Sequence, residues 1–329
     1  MQGFGKFCAG GDSEGGQAAL RPWLRAASRQ HSDALGHVAQ SPYASIAAGP
    51  GDPRRRGRAG PPRRFPYNGR MKIASWNVNS LKVRLPHLTQ WLAEAQPDIV
   101  ALQETKLEDA RFPVDELAAA GYRAVFAGQK TYNGVALLAR SDSLGVFEEV
   151  LTDIPGLDDP QRRILAATVG GLRVVDLYVV NGKAVGDEKY AYKLHWLARV
   201  REFLARELER HPKLVVLGDF NICPDDRDVY DPLAWGEDIL CSPPERAALR
   251  AITGLGLHDS FRLFESGAEH YSWWDYRQAA FRRNMGLRID LILIGEALKS
   301  AATAAAIDRE PRHWERPSDH TPVTLELDI

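Results

Sequence analysis

From Met71 onward the chain alternates short apolar runs with longer segments whose apolar positions recur every three or four residues. The runs cover residues 72–78, 99–103, 134–139, 164–169, 174–180, 214–217, 289–294 and 323–327, lengths and patterns that predict strands. Polar residues sit just past or before several of the runs, which is how α/β architectures build sites at one rim. Helical patterns fall at 85–94, 188–209 and 244–255. In the second of these, Tyr190, Leu194, Leu197, Arg201, Leu204 and Leu208 predict one core-facing stripe. The expected architecture is α/β, with two stacked sheets flanked by helices.

Residues 1–70 follow different rules. They hold 12 of the 28 glycines, 7 of the 20 prolines and 11 basic against 4 acidic residues, a balance of +7. Residues 71–329 carry 31 basic and 39 acidic residues, a balance of −8. The stretch 49–64, with Arg54, Arg55, Arg56, Arg58, Arg63 and Arg64 among prolines and glycines, cannot bury enough apolar surface to offset its ordering entropy. Residues 1–70 are therefore expected to be a disordered leader. Three readings of it stand: an upstream start that is not used, a basic arm that holds nucleic acid, or an Arg-rich targeting segment.

No apolar run approaches the ~20 residues needed to cross a bilayer. Cys8, Cys223 and Cys241 are too few and too scattered for a disulfide framework or a thiolate metal site. A cytoplasmic protein in a reducing compartment, without a membrane partner, is expected.

Polar residues cluster where the apolar runs end. Glu104 closes 99–103 and is either a solvated strand end or a ligand for a hard cation, which one or two carboxylates typically hold. Asn77 poses the same choice. Asp219 and Asn221, two apart on an extended segment after 214–217, project to one side, and Gly218 permits close approach. They are either an Asx-type turn or a proton acceptor beside a phosphate-binding amide. In Ser318-Asp319-His320 the histidine is either fixed in tautomer by a carboxylate, with Asp290 and Asp319 both in contention, or simply satisfied in a capped turn. There is no Gly-rich phosphate loop and no Gly-x-Ser-x-Gly elbow, so the inventory suits water activated by a general base and a divalent cation.

In order, the segments Trp76-Asn77-Val78-Asn79-Ser80-Leu81, Leu102-Gln103-Glu104-Thr105-Lys106, Gly134-Val135-Ala136-Leu137-Leu138, Gln161-Arg162-Arg163-Ile164, Gly218-Asp219-Phe220-Asn221, Ser272-Trp273-Trp274-Asp275-Tyr276-Arg277, Arg288-Ile289-Asp290 and Ser318-Asp319-His320 resemble the exonuclease III family of AP endonucleases. The resemblance spans residues 72–327, and the leader lies outside it. It implies a four-layered α/β sandwich with two packed mixed sheets, and a catalytic domain over 71–329. It implies a Mg²⁺ or Mn²⁺ requirement and cleavage of double-stranded DNA on the 5′ side of abasic sites, with 3′-to-5′ exonuclease action and cleaning of blocked 3′ ends. A monomer is expected.

Carried over by position, Glu104 would ligate the metal with Asn77 nearby, and Asp219, Asn221, Asp319 and His320 would complete its surroundings. Asp219 would orient or deprotonate the attacking water, and Asn221 would position it and the phosphate. His320, supported by Asp290, would stabilise charge on the phosphoryl oxygens. Tyr178 matches a phosphate-contacting tyrosine, and Asn181, Arg163, Trp273, Trp274 and Arg277 would bind substrate, unless one of the two tryptophans packs in the core instead. Tyr178-Val179-Val180-Asn181-Gly182 has a valine where the family often has proline, so that loop lacks a fixed φ.

The −8 balance opposes a simple basic DNA binder. Arg162, Arg163, Lys183, Lys189, Lys193, Arg277, Arg282, Arg283 and Arg288 flank the motifs and could make a cleft locally positive. Two alternatives remain: a phosphodiesterase for lipid or inositol phosphates, which has no use for the Ser272-to-Arg277 aromatics, and a DNA-binding protein that has lost catalysis. Removing residues 1–70 is expected to leave nuclease activity intact at moderate salt. A large loss, measured on a DNA duplex, would instead identify a working basic arm.

Overall fold

The computed structural model describes residues 69–329; the expectations for residues 1–68 of the leader lie outside the described residues, while Arg70, counted with the leader, opens the first strand opposite Asp328. In chain order the elements of the first half are β1 (Arg70–Asn77), α1 (Leu81–Ala95), β2 (Ile99–Gln103), α2 (Val114–Ala119), β3 (Tyr122–Ala127), β4 (Val135–Arg140), β5 (Glu148–Leu151), β6 (Ile164–Val169) and β7 (Leu172–Tyr178). There follow α3 (Glu188–Arg210), β8 (Leu214–Asp219), α4 (Pro232–Trp235), α5 (Pro243–Thr253), β9 (Leu257–Asp259), β10 (Asp290–Gly295), α6 (Glu296–Lys299), β11 (Ala302–Ile307) and β12 (Val323–Asp328).

The strands form two six-stranded sheets, ordered β11-β12-β1-β2-β4-β3 and β5-β6-β7-β8-β10-β9. Each has one parallel pair at its centre, β1·β2 and β7·β8, and antiparallel pairs elsewhere. Each parallel pair is joined by a helix, α1 in one sheet and α3 in the other, because parallel strands need a crossover.

The period of two along each strand sorts residues into layers. Ile73, Ile99, Ala101, Val174, Val215, Leu217, Ile292 and Leu325 fill the space between the sheets. Their neighbours Ala74, Trp76, Val100 and Leu102 face out under α1, with Leu88, Trp91 and Leu92. Val175, Leu177, Val216, Leu291 and Leu293 pack under α3 and α5. Helix, sheet, sheet and helix make the four expected layers.

The long helix departs from its predicted stripe. Its buried face is Tyr190, Lys193, Trp196, Leu197, Val200, Phe203, Leu204 and Glu207, so two charged residues go inside while Arg201 stays exposed. Both find partners: Arg173 Nε donates to Glu207 Oε2 at 2.5 Å, and Lys193 pairs with Glu245. Gly218 is required where β7 and β8 close up. Its φ is +141°, and a Cβ there would lie 1.9 Å from the Leu177 carbonyl oxygen.

The central strands match the sequence reading, whereas β3, β5, β9 and β11 were not predicted. These four are the edges of the two sheets. An edge strand is partly exposed and needs no continuous apolar run, so its pattern is faint: β5 reads Glu-Glu-Val-Leu and β11 is mostly alanine. Leu217, fully buried between the sheets, tests the layering. Leu217→Ala is expected to cost about 2–5 kcal/mol in urea unfolding; a loss under about 1 kcal/mol would contradict its place in the central core.

Candidate active site

The layering that buries apolar side chains between the sheets also delivers polar ones to a single rim. Asn77, Gln103, Tyr178, Asp219 and Asp290 occupy strand ends, in phase with inward-facing neighbours. Register aligns them: Asn77 pairs with Gln103 in one sheet, and Tyr178, Asp219 and Asp290 lie side by side in the other. Just beyond β2, Glu104 adopts φ +52°, which turns the chain out of the strand.

Hydrogen bonds join these residues. Asn77 Nδ2 donates to Glu104 Oε1 at 2.9 Å and to Asp219 Oδ2 at 3.0 Å. Asn221 donates its backbone N–H to Asp219 Oδ1 at 2.9 Å, and its Nδ2 to Asp219 Oδ2 at 3.1 Å and the Val179 carbonyl at 3.0 Å. Asn181 Nδ2 in turn reaches Asn221 Oδ1 at 3.0 Å. The partner of His320 is Asp290: Nδ1 lies 2.9 Å and 3.1 Å from its two oxygens, while Nε2 points toward Asp219 Oδ2 at 3.8 Å. Ser272, to which the sequence reading gave no role of its own, donates to Asp290 Oδ2 at 2.6 Å and accepts from the Ile289 and Asp290 backbone N–H groups.

The electrostatics follow from burial and charge. Burial pushes Asp219 up to about 7, against the pull of the nearby imidazolium. Burial would lower His320, but Asp290 and Asp219 outweigh it and raise its pKa to about 10, so the ring is a cation at neutral pH. Glu104 moves the other way: burial disfavours its charge, yet Lys106 at 2.8 Å and the Asn77 amide hold it below its ordinary value. Burial and the adjacent carboxylates raise Tyr178, which therefore stays a neutral phenol and a donor.

Oxygen and nitrogen atoms of Glu104, Asp219 and His320 lie within 4.8 Å of one another. Two carboxylates at this spacing fit a hard divalent cation, which needs few protein oxygens and completes its shell with water and phosphate. Of the expected ligand set, the cluster gathers Glu104, Asp219 and His320; Asn77 turns its N–H groups toward the two carboxylates, and Asp319 accepts from Asn79 Nδ2 at 2.8 Å and Trp273 Nε1 at 3.0 Å.

Two clefts flank the cluster. One of about 490 Å³ is lined by Arg163, Tyr178, Asn181, Lys183, Lys189 and Tyr132. In it the Arg163 guanidinium lies over the Tyr178 ring at 4.6 Å. The other, of about 300 Å³, is walled by Trp273, Trp235, Tyr230 and Arg277. Three expectations need correction. Trp274 is fully buried against Tyr271 and Phe281 and has no face to offer a substrate. Lys193 and Arg288 are buried in ion pairs with Glu245 and with Asp228 and Asp259, so neither can touch a phosphate. A further buried pair escaped the sequence reading: Gln103 Nε2 donates to Asp176 Oδ1 at 2.7 Å across the sheet interface, with burial holding Asp176 well above ordinary carboxyl values. An acid inside the apolar run 174–180 was the available signal.

A histidine raised from 6.5 to about 10 by folding contributes stability that is complete below pH 6.5 and is lost as pH rises toward 10. His320→Asn should therefore flatten the fall in urea midpoint over that alkaline window. An unchanged slope would show that the ring is neutral.

Comparison with known proteins agrees with this geometry. Residues 74–320 match the Endonuclease/Exonuclease/phosphatase family. Exodeoxyribonuclease III of Haemophilus influenzae is 34% identical over 269 residues, covering 78% of this chain and all of that protein. The solved structure of the 3′-5′ exonuclease NExo from Neisseria meningitidis is 50% identical with a TM-score of 0.76, and an AP endonuclease from Archaeoglobus fulgidus is 34% identical with a TM-score of 0.75. Each covers 79% of this chain and 100% of its own. The chain belongs to the endonuclease/exonuclease/phosphatase family, in its exonuclease III and AP endonuclease branch, and is a phosphodiester hydrolase.

Proposed function

We propose that this chain is a DNA repair nuclease with its catalytic domain in residues 71–329. It cuts double-stranded DNA 5′ of abasic sites and removes nucleotides or blocking groups from 3′ ends. The observation that carries this reading is the placement of Asp219, which touches Asn77 and Asn221 and faces His320. In each of these reactions water adds to phosphorus and the bond to the 3′ oxygen breaks. One site therefore serves all three.

Asp219, held at the rim by the Asn77 and Asn221 amides, is placed to accept a proton from the attacking water. Asn221 and Asn181 present amides at the same rim to orient water and phosphoryl oxygens. The His320 cation, held by Asp290, and the Tyr178 phenol offset the negative charge that grows on those oxygens. A Mg²⁺ or Mn²⁺ held by Glu104 and Asp219 would supply further positive charge there. Arg163, Lys183 and Lys189 line one cleft as cations for a DNA backbone, which answers the acidic overall balance. Trp273 and Arg277 in the other offer a wall and a charge for an extruded sugar or base. These nucleic-acid features weigh against a lipid or inositol phosphate substrate.

A preference for 3′ ends is a second reading, favoured by the 50% identity to NExo, one of whose structures is described as a 3′ phosphatase bound to product DNA hairpin. Activity should be assayed on an abasic duplex and on a 3′-phosphorylated hairpin, with Mg²⁺ and with EDTA. Cleavage is expected with the metal and not with the chelator. Asp219→Asn should lose on the order of 10²-fold or more in rate. Unchanged cutting by that variant would remove Asp219 from its role, and no cutting of either DNA by the parent would end the functional reading.

A further inference from the structure

Lys193 is fully buried directly beneath the two asparagines of the site. Its Nζ donates to the Asn221 carbonyl at 2.7 Å, to the Asn181 carbonyl at 3.2 Å and to Glu245 Oε1. An ammonium has three protons, and here each has one acceptor. The loop lies flush on its stem: a Cβ on Gly182, next to Asn181, would come within 3.2 Å of Lys193 Cδ. Glu245 is itself fixed, accepting from the Leu240 and Ser242 backbone N–H groups at 3.2 Å and 3.1 Å and from Ser242 Oγ at 2.6 Å. At a second point on the same face, the Tyr190 hydroxyl meets Ser242 Oγ at 2.8 Å.

We propose that Lys193 is a positioning residue whose ammonium pins the Asn181 and Asn221 backbones to the α3–α5 platform, setting the spacing at which their amides meet each other and Asp219. The loop 179–182 lacks the proline that would stiffen it, and its shape rests on this tripod instead. The proposal rests on the reading of Asn181 and Asn221 as groups that orient water and phosphate.

The test is the double variant Lys193→Met/Glu245→Gln. It removes both buried charges while keeping a side-chain acceptor for Ser242, and neutral replacement of a buried ion pair is often compatible with folding. Cooperative urea unfolding is expected to persist, with kcat on the abasic duplex reduced on the order of 10²-fold and KM little changed. The side-chain amide resonances of Asn181 and Asn221 should shift, a readout independent of turnover. Lys193→Arg keeps the charge but places a planar fork where a tripod is needed, and is expected to lose kcat as well. A kcat within about twofold of the parent in either variant, or unmoved amide resonances, would overturn the proposal. A parent enzyme that cuts no DNA would instead count against the functional reading, since the resonances test the tripod without it.

Discussion

The Asn77 amide crosses the seam between the two sheets, and the site depends on it. One hydrogen goes to Glu104, carried by the same sheet, and the other to Asp219, carried by the opposite one. Two carboxylates brought together at low dielectric repel each other and lose their water. A pair of amide donors between them, backed by Asn221 on Asp219 and Lys106 on Glu104, makes the juxtaposition tolerable. The backbone of Asn77 is tied in as well, its carbonyl accepting from Ser318 Oγ at 2.7 Å two residues before His320.

The rest of the architecture serves to hold that seam in register. Large apolar side chains lock the sheets face to face, and the last inward position of each central strand is the first that must deal with solvent and ligand. Polarity concentrates there for that reason. Deeper in, Gln103 Nε2 donates across the interface to Asp176 Oδ1 and, within its own sheet, to Ser75 Oγ. Helix α3 acts on the site indirectly, through the Lys193 ammonium that meets the Asn181 and Asn221 carbonyls, and α5 through Glu245, which accepts from that ammonium.

The charge distribution has the same logic. A net acidic body is compatible with a polyanionic substrate when the cations are sorted by position. Arg288 and Lys193 are consumed in structural pairs, Arg277 and Lys183 keep exposed side chains while paired with Asp275 at 2.5 Å and Asp187 at 2.7 Å, and Arg163, Lys183 and Lys189 line one cleft. A sequence count cannot separate these groups, because an arginine in a buried triad and one on a cleft wall are the same letter.

Much was legible beforehand. Apolar runs with polar residues at their ends pointed to stacked sheets flanked by helices, and the order of motifs pointed to the four layers and to Glu104, Asp219 and His320. Side-chain direction also follows from the strand period, which is local. What only the tertiary structure decided are the relations between distant segments: that Asp290 and not Asp319 holds His320, that Trp274 turns inward while Trp273 lines a cleft, and that Lys193 supports the site from below. Edge strands belong to the same class, since their conformation is imposed by a neighbour's open hydrogen-bonding row more than by their own composition. Local periodicity constrains which face a residue takes. Which partner it meets there is settled by packing whole layers together, where a shift of one residue exchanges inside for outside.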